Sequence, residues 1–263
     1  MKFDIGIDNP PFSGKTHHKF LEKTKKVSDI TVFVQPSDWV FEDKFNDLRK
    51  NVEKITLING NGPMNIGSFR PLSVSVFNRG KEKVLVDDKL NGREYRVNKN
   101  RINPFADETF WSVKRKVENQ LDETLADYID STNGKYCIGI AKIRGNVNTT
   151  NESFSEPIVS RDFYSFLPNY SFDKLLERGE VGYSFRFDKK SRAKNFTKYL
   201  KTKFARFCLA ITKRDQNLNQ KKFSKVPWLN YDLKWDDYKL KKKFGLTDEE
   251  IVFIQENIDD FYD

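Results

Sequence analysis

The chain has 263 residues, with 47 Lys+Arg against 38 Asp+Glu, a formal net charge of +9, and 14% aromatic residues that include 23 Phe. That length allows one large domain or two modest ones with a real core, and the charge favours a polyanionic partner without identifying it. No apolar run nears the ~20 residues of a membrane span, and Met1 leads into a strand rather than a signal peptide. Cys137 and Cys208 are far apart and lack metal-ligand spacing, which suits a reducing cytosol.

Phe3–Asp8 reads as a short apolar strand, followed at once by Asn9-Pro10-Pro11-Phe12. Two prolines fix φ and remove two backbone donors, so this loop presents carbonyl acceptors. The Asn9 amide oxygen adds an acceptor and Phe12 a stacking face, a combination suited to a planar amino group such as adenine N6. The plainer alternative is an Asn-Pro turn that only closes a strand. Gly14-Lys15-Thr16 looks like the end of a phosphate-binding P-loop, but that motif needs Gly at position 9, and Pro10 and Pro11 delete the amides that would hold phosphate.

Thr16–Lys26 reads as a helix with Phe20 and Leu21 on one face. Ile30–Val34 is a continuous apolar run, as in a strand covered on both faces of a parallel sheet, and it ends at Gln35-Pro36-Ser37-Asp38-Trp39. Phe41, Phe45 and Leu48 predict a helix over 41–51. Strands follow at Ile55–Ile58 and Leu72–Phe77, separated by a Gly/Asn loop over 59–67. Leu85-Val86-Asp87 and Tyr95-Arg96-Val97 form a hairpin across Leu90-Asn91-Gly92. This is α/β winding with no strand or helix ahead of Phe3.

The apolar pattern lapses over Asn98–Asn103, a boundary that divides residues 1–100 from 101–263. Beyond it, Phe110–Tyr128 reads as an amphipathic helix whose apolar stripe faces a core. Tyr136–Ile143, Phe163–Leu167 and Val181–Phe187 read as strands, and Asn148–Ser155 as a polar loop. From Arg186 to Lys225 there are fourteen Lys/Arg and two acids, Asp188 and Asp215, threaded by Phe196, Tyr199, Leu200, Phe204, Phe207, Cys208 and Ile211 at helical spacing. The basic face is either simply solvated or a phosphate-contacting surface. On the second reading the contacts fall to Lys15, Arg186, Lys189, Lys190, Arg192, Lys194, Lys198 and Lys201. Thr247 and Glu250 form a capping box before a last helix, and the final sixteen residues hold seven acids and no base. His17-His18 has no further His or Cys partner for a metal site and reads as a solvated pair.

The residues from Phe3 to Phe12, the helix with His17-His18-Lys19-Phe20-Leu21, the strand ending in Gln35-Pro36-Ser37-Asp38-Trp39, and Leu72–Asn78 resemble the catalytic half of adenine-specific DNA methyltransferases of the TaqI-like order. Ala193–Leu209, Lys225-Val226-Pro227-Trp228, Trp235-Asp236-Asp237 and Phe244–Ile251 resemble the tail of bacterial and phage restriction-modification methylases. The likeness covers 1–100 and 185–255 well and 105–185 loosely. It implies an α/β fold in which a partial Rossmann-like methyltransferase sheet precedes an α+β target recognition domain. It also implies site-specific adenine-N6 methylation in the cytoplasm of a bacterium or phage-infected host, with double-stranded DNA as partner and S-adenosyl-L-methionine as cofactor. Asn9, Pro10, Pro11 and Phe12 would be the catalytic residues.

One departure stands out. The family's Phe-x-Gly-x-Gly cofactor turn is missing, and Gly60-Asn61-Gly62 precedes Pro63 and a strand rather than a helix. The cofactor site is therefore expected to be largely absent from this chain and supplied by a complementing polypeptide. A catalytically inactive DNA-binding or interaction module derived from such a methylase is the alternative.

Overall fold

The structure, a computed structural model, describes residues 2–12, 16–41, 45–59, 71–78, 82–90, 92–103, 105, 107–140, 168–169, 183–212 and 220–258. Phe163–Leu167, Asn148–Ser155 and Gly60-Asn61-Gly62 lie outside the described residues. The chain divides into two compact units, Met1–Ala106 and Asp107–Asp263.

The first unit is mixed α/β, consistent with a Rossmann-like sheet. Its strands are β1 (Phe3–Asp8), β2 (Ser28–Pro36), β3 (Val52–Asn59), β4 (Pro71–Phe77), β5 (Lys83–Asp88) and β6 (Arg93–Asn98), in the order β1-β2-β4-β3-β5-β6. β1 runs parallel to β2 and β3 to β5, while β4 enters antiparallel between β2 and β3. The sheet is therefore mixed around β2, not parallel on both sides as the run Ile30–Val34 suggests. The expected hairpin is present, antiparallel, with Gly92 at φ 64° in its turn.

Register sets Asp8, Phe33, Ser75, Ile55, Val86 and Tyr95 in one row across all six strands. Period-two alternation then gives this face to the core, where Phe33, Ile55, Leu57, Phe77, Val84 and Val86 pack with Leu21, Trp39 and Val40. Leu21 comes from α1 (Thr16–Val27), whose other expected core residue, Phe20, is 41% exposed. On the opposite face Phe3, Ile5 and Ile7 are 56%, 57% and 79% exposed.

The predicted helix over 41–51 is instead two short ones, α2 (Asp38–Phe41) and α3 (Asn46–Arg49). Arg49 is buried and donates to the carbonyls of Trp39 (2.8 Å) and Val40 (3.1 Å). The guanidinium thus reaches two carbonyls of α2, acceptors of the kind a short helix leaves open at its end. Phe41, Phe45 and Leu48 still pack against the core, so their spacing reported burial correctly and continuity wrongly.

The second unit is α+β. Its helices are α4 (Glu108–Glu118), α5 (Leu125–Tyr128), α6 (Lys190–Lys201), α7 (Lys203–Ala210), α8 (Asp237–Phe244) and α9 (Asp248–Asn257). Its antiparallel sheet, in the order β8-β7-β9, is built from β7 (Tyr136–Ile140), β8 (Pro168–Asn169) and β9 (Tyr183–Phe187). The predicted helix over 110–128 breaks because the Leu125 N–H donates to Val226 O (2.8 Å) and the Trp228 N–H to Glu123 O (2.9 Å). Non-local backbone pairing there overrides helix periodicity. The basic helix is also divided. The Thr202 hydroxyl donates to Tyr199 O (2.7 Å) and accepts from the Ala205 N–H (3.2 Å), ending α6 and capping α7 in one residue.

Aromatics make this core: Phe185, Phe187, Phe196 and Tyr231 surround Trp228 at ring separations of 5.0–6.2 Å. The expected capping box of Thr247 and Glu250 opens α9. Glu250 also fastens α9 to α4, accepting from Ser112 Oγ (2.6 Å) and Lys116 Nζ (2.7 Å).

Two stability predictions follow from this packing. A Cβ at Gly6 would lie 2.8 Å from both Ser28 Oγ and Thr24 Cγ2. Gly6→Ala should therefore cost about 1–3 kcal/mol in denaturant unfolding through overpacking at the β1–α1–β2 contact. Burial raises the Glu250 pKa, but hydrogen bonds from Lys116, Ser112 and the Thr247 N–H outweigh it and hold the carboxylate below the ordinary 4.5. A depressed folded pKa contributes stability that is fully present above the unfolded value and lost as pH falls through the folded one. Glu250→Gln should lower stability by about 1–3 kcal/mol near neutral pH and flatten the acid limb of a Tm–pH profile below pH ~5.

Candidate functional site

In open α/β sheets ligands bind beyond the carboxyl ends of strands. Because β1 and β2 are parallel, their carboxyl ends share one edge, where Asn9–Phe12 follow β1 and Gln35-Pro36 finish β2. The four loop residues differ in exposure. Asn9 and Pro11 are exposed, Pro10 is buried and Phe12 is half-buried. Pro10 anchors the segment while the Asn9 amide stays accessible.

The strand end is braced from α1, since Thr24 Oγ1 donates to Asp8 Oδ2 at 3.0 Å, one residue before Asn9. Phe12 meets His17 edge-on at 6.2 Å, His17 lies 4.2 Å from His18, and His18 lies 5.0 Å from Phe45. His17 is buried, so the histidine pair is not a solvated one as the sequence suggests. It is a link in an aromatic chain that runs from Phe12 toward the core. In the loop after β1, Pro10 and Pro11 lack N–H groups, and the one glycine, Gly14, lies outside the described residues. The loop therefore offers acceptors and a ring.

Gln35 and Ser75 escaped the sequence reading. Both are fully buried on the core face, and Gln35 Oε1, Gln35 Nε2 and Ser75 Oγ have no hydrogen-bond partner among the described residues. The legible signal was alternation: Thr31, Phe33 and Gln35 point the same way, so a carboxamide falls at an inward position.

Of the expected DNA contacts, Lys15 lies outside the described residues. Lys190, Lys194 and Lys198 are exposed along one stripe of α6 and form no ion pair among the described residues. Arg192, half-buried on the same helix, pairs with Asp232 and, at 3.2 Å, with Asp188. The hydrogen bond that Arg192 donates to Asp232 leads the causes that push its pKa up. Lys189 lies 3.8 Å from Asp232, Arg186 is exposed on β9, and Lys201 is half-buried at the end of α6. Nearby, Lys203 Nζ donates to Gln255 O (2.8 Å) and Lys225 pairs with Glu118 (2.8 Å), so part of the basic run holds the unit together. Cys208 is buried and burial pushes its thiol pKa well up, which removes it as a nucleophile.

This division predicts separable effects. Replacing Lys190, Lys194 and Lys198 by Gln should reduce the log–log salt slope of DNA binding by about 2.7, at roughly 0.9 per phosphate, with melting unchanged. Arg192→Gln should lower the melting temperature and leave the slope nearly intact. Filter binding across salt concentrations, beside thermal melts, checks both.

A scan against protein-family models and a search of curated proteins returned no match. Among solved structures, the type IIG restriction endonuclease BpuSI is similar at 11% identity and a TM-score of 0.34, over 96% of this chain and 49% of that one. The chain thus spans about half the length of that enzyme. Among the described residues no helix is long and apolar enough to cross a membrane.

Proposed function

We propose that this chain is the base-holding and DNA-recognition portion of a site-specific DNA adenine-N6 methyltransferase. The observation that carries the reading is an exposed Asn9 beside a half-buried Phe12, at the carboxyl end of a parallel strand anchored by buried Pro10. The resemblance of this segment to the TaqI-like catalytic motif supports it. The target adenine leaves the duplex stack because its N6 cannot be reached there. Asn9 Oδ1 and the Pro10 carbonyl accept the amino protons, which turns the nitrogen lone pair away from the loop. Phe12 stacks on the ring, worth ~1–3 kcal/mol per base. The lysine stripe of α6 positions the backbone without reading sequence.

S-adenosyl-L-methionine would supply an activated methyl group. The loop after β1, with Pro10 and Pro11 in place of backbone donors, and the sequence's lack of a Phe-x-Gly-x-Gly turn do not fit it. Its site is assigned to a complementing segment, on a second polypeptide or an upstream reading frame. Two features of β1 support that assignment. Its outer edge pairs with no strand among the described residues, and Phe3, Ile5 and Ile7 are exposed. Parallel strands are ordinarily covered on both faces, and open edges are ordinarily blunted.

In the complemented enzyme, Asn9→Ala should reduce labelled methyl transfer to DNA on the order of 10²-fold, the scale of losing one preorganised hydrogen-bonding group. Melting and DNA affinity should hold, because Asn9 is exposed and touches no phosphate. Phe12→Ala should cost less, and Phe12→Trp should restore most of the loss. Wild-type turnover by Asn9→Ala would overturn the adenine-N6 assignment. DNA binding with no transfer under any complementation would identify an inactive module.

A further inference from the structure

The proposed contacts of the loop use only the amino group of the base. Beside the loop sits a second group capable of recognition. Gln35 lies two residues past Phe33, as Pro10 lies two residues past its pairing partner Asp8, so the carboxamide belongs to the same sheet edge as the loop. Its backbone is locked: Gln35 pairs with Ser73 across β4, and Ser73 Oγ, itself receiving the Trp39 indole N–H at 2.9 Å, donates to Gln35 O at 3.2 Å. Its side chain is fully buried, yet neither Oε1 nor Nε2 has a partner among the described residues. Ser75, diagonal to Gln35 on the same face and opposite Phe33, has an equally buried and unpartnered Oγ.

Buried polar groups are nearly always satisfied, and leaving one unpaired costs ~1–3 kcal/mol. An aliphatic side chain would fill this buried position without that cost. A carboxamide without a partner among the described residues, at a strand's carboxyl end and next to an exposed loop of acceptors, is the arrangement of a group whose partner is a ligand.

Resting on the adenine reading above, we propose that Gln35 is a second base-contacting residue, which donates from Nε2 to the ring nitrogen flanking the amino group of the held adenine. The amino protons stay with Asn9 and Pro10, and the Ser75 hydroxyl is the donor left for Gln35 Oε1 once the base is in place. The base is then selected by two features, an exocyclic amine and a neighbouring ring acceptor. A carboxamide is the side chain suited to such an edge.

The test uses the full chain and short single-stranded oligonucleotides that carry one purine in a thymine background, so that no duplex has to be opened. The purine is adenine, purine without the amino group, 1-deazaadenine or 7-deazaadenine. The wild type should bind adenine about tenfold more tightly than one of the two deaza analogues, the scale of one hydrogen bond to a buried group. Gln35→Met should abolish that discrimination, retain the preference for adenine over amino-less purine, and raise Tm by about 4 °C because an unpaired amide is gone. Equal wild-type affinity for adenine and both deaza analogues would overturn the inference, as would deaza discrimination that survives in Gln35→Met. A fall in Tm would also overturn it, since the amide would then be satisfied within the fold. If the wild type does not distinguish adenine from amino-less purine, the adenine reading itself fails, a different result from loss of the Gln35 contact alone.

Discussion

The parallel pairing of β1 with β2 is the constraint on which the rest of the first unit depends. It sets Asp8 beside Phe33 and so brings Asn9–Phe12 and Gln35 to one sheet edge from chain positions more than twenty residues apart. A one-residue slip would turn Gly6 and Asp8 outward and drive Ile5 and Ile7 against α1. Gly6 guards against that slip, because only a residue without Cβ admits Thr24 and Ser28 so closely. The hydroxyls of the same two residues then tie the layer: Thr24 to Asp8, and Ser28 to the Thr24 carbonyl at 2.7 Å and Thr31 at 2.9 Å.

Across the sheet, chemistry changes with position. The row Asp8, Phe33, Ser75, Ile55, Val86, Tyr95 is aliphatic where β3 meets β5 and polar toward β1 and β4. Apolar burial at ~25 cal/mol per Å² accumulates on the β3–β5 side and can tolerate unpaired polar atoms at the other end. The candidate site occupies that other end. The second unit shows the same division of labour with charge. Arg192 and Glu250 are committed to ion pairs that fasten helices, while Lys190, Lys194 and Lys198 on one stripe are left to solvent.

How much was legible follows from the range of the interactions. The strands at 3–8, 30–34, 55–58 and 72–77, the hairpin and the Thr247–Glu250 cap rest on local pattern, and each is present. The helices over 41–51 and 110–128 are each divided in the structure: in the first, Arg49 folds back from α3 onto the α2 carbonyls, and in the second, the Leu125–Val226 and Trp228–Glu123 backbone bonds act from outside the window in which periodicity operates. The insertion of β4 between β2 and β3 was equally invisible, since apolar content does not state strand direction. At the candidate site, Asn9 to Phe12 could be read from residue type alone. For Gln35 and Ser75 alternation gives only the inward placement; that they have no partner among the described residues is visible only in three dimensions.

On the proposed function, the loop after β1 holds an adenine by its amino group. A crystal structure of the full chain with an adenine-bearing single-stranded oligonucleotide tests it most directly. The expected result is N6 at hydrogen-bond distance, ~2.9 Å, from both Asn9 Oδ1 and the Pro10 carbonyl, with the ring against Phe12. An adenine ordered elsewhere on the chain, with Asn9 still facing solvent, would contradict it.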